Sequence, residues 1–166
     1  MDVVISSLGI HHGKVKMLLG IDPGRDKIGW ALTDDNGVLL ISGIVKKQDL
    51  PLFLESLLKR EWALLTPWIR ENRKNYFNPD TDLRVVVGNG TTCQEILSFL
   101  EGQGIYAEIV EERGSTLEAR KVFWSLHPPK GLWKLFPDSL RTPNRDIDDL
   151  AALVIVRRYI TLEARE

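Results

Sequence analysis

At 166 residues, 43% hydrophobic and 27% charged, the chain has the make-up of one globular domain with a full core. A net charge of −1 excludes a protein that is basic throughout, so any grip on nucleic acid has to come from local basic patches or from metal ions that screen phosphates. A single cysteine, Cys93, excludes an internal disulfide, and no apolar run approaches the roughly 18–20 residues of a membrane span, so a reducing, cytoplasmic setting without a membrane partner is expected.

In chain order, residues 1–16 read as a loosely attached extension and 17–166 as the domain. The extension has no basic start running into a long apolar core, so no signal peptide is expected. Its His11-His12 pair reads as part of a polar tail, and Met17 is a second candidate start. Met17–Asp22 reads as a short buried strand, turned at once by Pro23-Gly24. Ile28–Thr33 and Val38–Ile44 are the second and third strands, and Asn36-Gly37 between them is a strong hairpin signal. Gly29, inside the second strand, marks a bulge or a close backbone approach.

The spacing of Leu54, Leu57, Leu58, Trp62 and Leu65 predicts a helix from Leu50 to about Lys74, its leucines on the sheet and Pro67 kinking or dividing it. Lys59, Arg60, Arg70, Arg73 and Lys74 fall on its second half and read first as a solvated face, second as a nucleic-acid patch. After a polar loop over 75–82, the β-branched run Leu83–Gly88 predicts a buried parallel strand. Thr92 with Glu95 has the form of a capping box, opening a helix through Leu100 that ends at Gly102 or Gly104. Ile105–Glu111 alternates like a strand. Ser115 with Glu118 suggests a second capping box and a helix from Thr116 to Trp124, stopped by His127-Pro128-Pro129. A proline-rich stretch with Lys130, Trp133, Lys134, Phe136 and Arg141 leads to a last helix, Asp146–Leu162, with Leu150, Leu153, Val154 and Val156 inward. This order predicts an α/β fold with a mixed five-stranded sheet, three antiparallel strands followed by parallel ones, and helices on both faces.

Three acidic groups fall at matched places: Asp22 at the end of the first strand, Glu111-Glu112 at the end of a later one, and Asp146, Asp148 and Asp149 at the start of the last helix. In open α/β sheets, sites form beyond the carboxyl ends of the strands. Carboxylates that converge there repel one another unless cations or protons intervene. Mg²⁺ or Mn²⁺ suits such oxygen ligands, and two such ions can clamp a phosphodiester for in-line displacement. Each acid also has a plain alternative. Asp22 can cap its own turn, the three aspartates can favour a helix start, and Glu112 can pair with Arg113.

Gly20-Ile21-Asp22-Pro23-Gly24, with Lys27-Ile28-Gly29-Trp30-Ala31 behind it, resembles the opening strands of the RuvC and YqgF nucleases. The run from Glu111 to Ala119 is similar to the acidic strand end and helix start of YqgF, and Ile147-Asp148-Asp149-Leu150-Ala151-Ala152 resembles the Asp-led helix that closes both families. The likeness covers roughly residues 17–162. It implies a ribonuclease H-like fold, Mg²⁺- or Mn²⁺-dependent phosphodiester hydrolysis, and a role in pre-16S ribosomal RNA processing or Holliday-junction resolution. On that basis Asp22, Glu112 and Asp148 are the catalytic and metal-binding acids, with Asp149 a further metal ligand. RuvC enzymes carry another aspartate three residues before the last acid, where this chain has Arg145. Asp146 or Asp149 is left as a substitute, and a strict junction resolvase is disfavoured. Gly88-Asn89-Gly90-Thr91 also resembles the YqgF-like domain of the transcription accessory protein Tex, which binds without cutting.

The leading expectation is a divalent-metal-dependent nuclease acting on structured RNA or branched DNA, with monomer and homodimer both open. The alternative is a non-catalytic nucleic-acid-binding module using the basic helix and the Trp124–Arg141 segment. A third reading, a phosphotransferase of the actin-like ATPase class, is disfavoured because the chain is too short for two domains closing over a nucleotide. A histidine general base is disfavoured too, because His127 lies in a proline-rich loop.

Overall fold

A computed structural model of the chain describes residues 16–73, 81–137 and 140–165. Residues 1–15 of the extension with His11-His12, Lys74 and the polar loop as far as residue 80 lie outside the described residues.

Strand β1 (Lys16–Pro23) shows the period-two logic on which the molecule is built. Met17, Leu19 and Ile21 enter one hydrophobic core, while Leu18 on the alternate face enters another. β1 pairs antiparallel with β2 (Lys27–Asp34), and β2 antiparallel with β3 (Leu39–Lys46). Gly37, at φ 75°, makes the hairpin turn that Asn-Gly predicts, and the Asp34 carboxylate accepts from the backbone N–H groups of Asn36 and Val38 at 3.0 and 2.9 Å.

The predicted helix from Leu50 to Lys74 is corrected. Helix α1 stops at Leu58 (Leu50–Leu58), a 3₁₀ stretch covers Trp62–Trp68, and Ile69–Asn72 forms strand β4 along the edge of β3. The stop is built by Arg60, whose φ of 61° is left-handed. The N–H groups of Arg60 and Glu61 close back on the carbonyls of Leu57 and Ser56 at 3.0 and 2.8 Å, a Schellman ending that normally takes glycine. The Arg60 guanidinium donates to the Thr81 carbonyl at 2.6 Å, which helps to hold the strained residue. Leu54, Leu57 and Leu65 still enter the core, and Leu58 packs against it half-buried. The basic residues do not share a helical face: Lys59 pairs with Glu55 at 2.6 Å, and Arg70 lies on β4.

β5 (Asp82–Gly88) runs parallel to β1, and β6 (Ala107–Val110) parallel to β5. The sheet order is β4-β3-β2-β1-β5-β6. It therefore has six strands rather than the expected five, because β4 adds an edge. The remaining five keep the expected three-antiparallel-then-parallel arrangement. Between β5 and β6 lies α2 (Cys93–Gly102), and α3 (Ser115–Leu126) and α4 (Asp148–Glu163) follow. The three core clusters place α1 and α2 on one face of the sheet and α3 and α4 on the other. Leu150, Leu153, Val154 and Val156 are all buried, as their spacing predicts.

Neither capping box forms. The Thr92 hydroxyl donates to the Gly24 carbonyl at 3.0 Å, tying α2 to the turn after β1. Gly114, at φ 79°, caps α3 in place of Ser115, and Glu118 pairs with Arg158 at 2.6 Å. No described helix is long and apolar enough to cross a membrane.

Candidate functional site

The carboxyl ends of β1, β5 and β6 share one rim of the sheet, and each delivers part of the candidate site. Asp22 ends the buried run of β1. Its cross-strand partner is Gly29, which has no side chain to fill the space above it. A Cβ at Gly29 would lie 2.0 Å from the carbonyl oxygen of Asp148, and one at Gly20 2.4 Å from that of Ala152. Directly opposed residues of an antiparallel pair project to the same face. The two glycines therefore let α4 lie against β1 and β2 and bring its first residue, Asp148, beside Asp22.

Glu112 follows β6. Its backbone N–H donates to the Asn89 side chain at 3.1 Å, and the Asn89 N–H donates to the Val110 carbonyl at 3.0 Å, so the segments after β5 and β6 are laced together. Its carboxyl group fills space that Gly88 and Gly90 leave open: a Cβ at Gly88 would lie 2.7 Å from Oε2, and one at Gly90 2.5 Å from Oε1. Among the described residues no donor faces the buried Oε2. The group within hydrogen-bonding reach is the Asp22 carboxyl, and two carboxyls satisfy each other only when one holds a proton. Burial, then the charge and hydrogen bond of Glu112, then the charge of Asp148 push the Asp22 carboxyl up to about 8. The nearby Cys93 thiol is raised as well, first by burial and then by Glu112, so it is no ready thiolate nucleophile.

Asp148 stands next to this pair with its carboxylate turned to Lys27, whose Nζ lies 3.2 Å from Asp148 and 2.7 Å from Asp146. Among the described residues no three His, Cys, Asp or Glu side chains are already arranged around one cation position. Asp22 and Glu112 are together, and Asp148, engaged by lysine, is near enough for its charge to act on the Asp22 carboxyl. Beside the turn after β1, Arg25, Lys46 and Lys47 border a shallow depression.

Asp149 is not brought to this group. It is fully buried, accepting from Ser42 Oγ at 2.7 Å and from Arg145 at 2.8 and 3.2 Å. Arg145 also reaches Glu71 of β4 at 2.7 Å, and His127 Nε2 meets the same Glu71 oxygen at 2.6 Å. Burial pushes the Glu71 carboxyl up, but hydrogen bonds from His127 and Arg145 outweigh it and hold it below its usual range. Arg145 is thus the centre of an ionic network that anchors α4. That network places Asp149 and His127 in structural positions, away from the Asp22 carboxyl. Sequence reasoning missed Ser42 and Glu71, because nothing in their local pattern marks a buried partner from a distant element.

No protein-family model matches the chain, and no curated protein matches it. Solved structures do match, among them a Ppx/GppA family member from Aquifex aeolicus, at 12% identity with a TM-score of 0.32. The alignment covers 69% of this chain and 41% of that one. Similarity of this extent identifies no family.

Proposed function

We propose that the chain is a ribonuclease H-like, divalent-metal-dependent nuclease of the YqgF/RuvC type, hydrolysing phosphodiester bonds in structured RNA or branched DNA. The observation that carries this reading is the Asp22–Glu112 carboxyl pair on the sheet rim, cradled by two glycines and holding a buried oxygen that no donor faces. Such a donor set fits a hard cation such as Mg²⁺ or Mn²⁺. Asp22 and Glu112 would hold it, with Asp148 as the third acid. When bound, the ion supplies a Lewis acid for a phosphoryl oxygen. The chain itself positions the acids: Gly29 admits Asp148, Asn89 fixes the backbone of Glu112, and Lys27 keeps Asp148 oriented at the rim. Arg25 and Lys46 offer phosphate contacts close by, while Lys47 is already paired with Glu95 at 2.8 Å.

One observation favours the alternative, a nucleic-acid-binding module without catalysis. Lys27 already neutralises Asp148 and Asp146, which leaves only two carboxyls facing each other. The deciding experiment incubates the chain with a precursor ribosomal RNA end and with a four-way DNA junction, in Mg²⁺, Mn²⁺ and EDTA. Metal-dependent cleavage that Asp22→Asn reduces beyond the roughly 10–100-fold typical of a metal's outer partners is expected. Binding without cleavage by the wild type would move the assignment to the binding module.

A further inference from the structure

A groove of about 610 Å³ lies between the end of α3, the proline-rich connection and β4, outside the carboxyl site. Among the described residues, Arg70, Lys130, Arg141 and Arg145 and the carboxylate Glu71 line it, with Arg145 already paired with Glu71 and the buried Asp149. Its walls are tied in place. The Arg141 guanidinium lies over the Trp124 ring at 5.9 Å and donates to the Lys134 carbonyl at 3.1 Å, stitching the 3₁₀ turn Gly131–Leu135 to α3. Arg145 lies over Phe123 at 5.6 Å while it pairs with Glu71, and His127 leans on the same ring at 4.8 Å.

On this framework Trp133 is 61% exposed, its ring 5.5 Å from that of Phe136. An indole left in water costs hydrophobic free energy unless something covers it. A partner that offers only apolar surface would meet a cationic rim. A flat aromatic group carried on an anionic backbone matches both features, and nucleobases on phosphates have that combination.

We propose that this groove binds an unpaired stretch of single-stranded nucleic acid, a base stacking on Trp133 and the adjoining phosphates facing Arg70 and Lys130. It deepens the nuclease reading, on which it rests only for the choice of polymer, by adding a second contact region that selects unpaired over paired strands.

The test is fluorescence anisotropy of the full chain with a labelled single strand of about 12 nucleotides, in EDTA so that cleavage plays no part. Trp133→Ala is expected to weaken binding by about 5- to 100-fold, in keeping with the loss of one base–aromatic stack, while Trp133→Phe retains most of it. Arg70→Ala is expected to lower the salt dependence by about one phosphate contact. A duplex of the same sequence should bind more weakly and be insensitive to Trp133→Ala. Both residues are exposed, and an unchanged melting temperature verifies that the variants fold. Wild-type affinity in Trp133→Ala, or equal losses for single strand and duplex, overturns the proposal. If the single strand fails to bind while a protein partner does so through Trp133, the proposal is likewise overturned. The two readings fail separately: cleavage by a wild type whose affinity ignores Trp133 removes the groove alone, and Trp133-dependent binding without metal-dependent cleavage removes the nuclease alone.

Discussion

Asp22 is where the fold and the proposed chemistry oppose each other. Its carboxyl titrates near 3.8 when unperturbed and is pushed up to about 8 in the folded chain, by burial first and then by Glu112. Between those values the folded state binds the extra proton. Stability therefore falls as pH rises from about 4 to about 8, and the full cost is present above that window. Asp22→Asn carries its hydrogens at every pH and escapes that cost. In EDTA the variant should melt above the wild type at pH 8 by at least about 2 °C, the effect of roughly 1 kcal/mol in a domain of this size. The difference should vanish near pH 3.5. Thermal melts across this range check it, and a variant that melts lower than wild type at pH 8 contradicts the Asp22–Glu112 pairing.

At the scale of elements, the start of α4 depends on one guanidinium. Arg145 neutralises the fully buried Asp149 and the nearly buried Glu71 together. Arg145→Ala leaves both carboxylates without that partner, and breaking a buried ion pair from one side typically costs about 3–5 kcal/mol. Urea denaturation should show a loss of that order, and a loss below about 1 kcal/mol would mean that Asp149 finds another donor. Elements with strong local signals were legible in the sequence. The alternation of β1, the Asn-Gly hairpin and the β-branched run of β5 announced themselves, and the acids at strand ends pointed to the rim where Asp22, Glu112 and Asp148 gather. What was not legible depends on tertiary partners. α1 ends at an arginine in a left-handed conformation, where a reader looks for glycine, and the leucine spacing continues past it into the 3₁₀ stretch. Thr92 and Ser115 looked like caps because their backbone context was right, but Thr92 is drawn to Gly24 and Ser115 is preceded by a glycine that takes the role. Asp149 looked like a ligand beside Asp148. Neighbours on a helix point about 100° apart, which sends one to the rim and the other into the ionic network.

For the whole molecule, the carboxyl pair makes stability a reporter of the cation. A ligand that binds only the folded state stabilises it by RT times the logarithm of one plus its concentration over its dissociation constant, about 2.7 kcal/mol at one hundred times that constant. The chain should therefore gain roughly 5–10 °C in Tm on going from EDTA to saturating Mn²⁺. The gain should shrink at acidic pH, where the Asp22 proton competes with the ion. Asp22→Asn should show little or none of it. Differential scanning fluorimetry reads all three, and an equal gain in the variant would place the ion elsewhere.

The glycines at 20, 29, 88 and 90 carry no functional group, yet each leaves room that a methyl would take from Asp148, Ala152 or Glu112. In a saturating mutational screen scored on activity, these positions would therefore tolerate as little change as the acids themselves. Such a map would draw the site larger than its chemistry, with vacant volume inherited as strictly as charge.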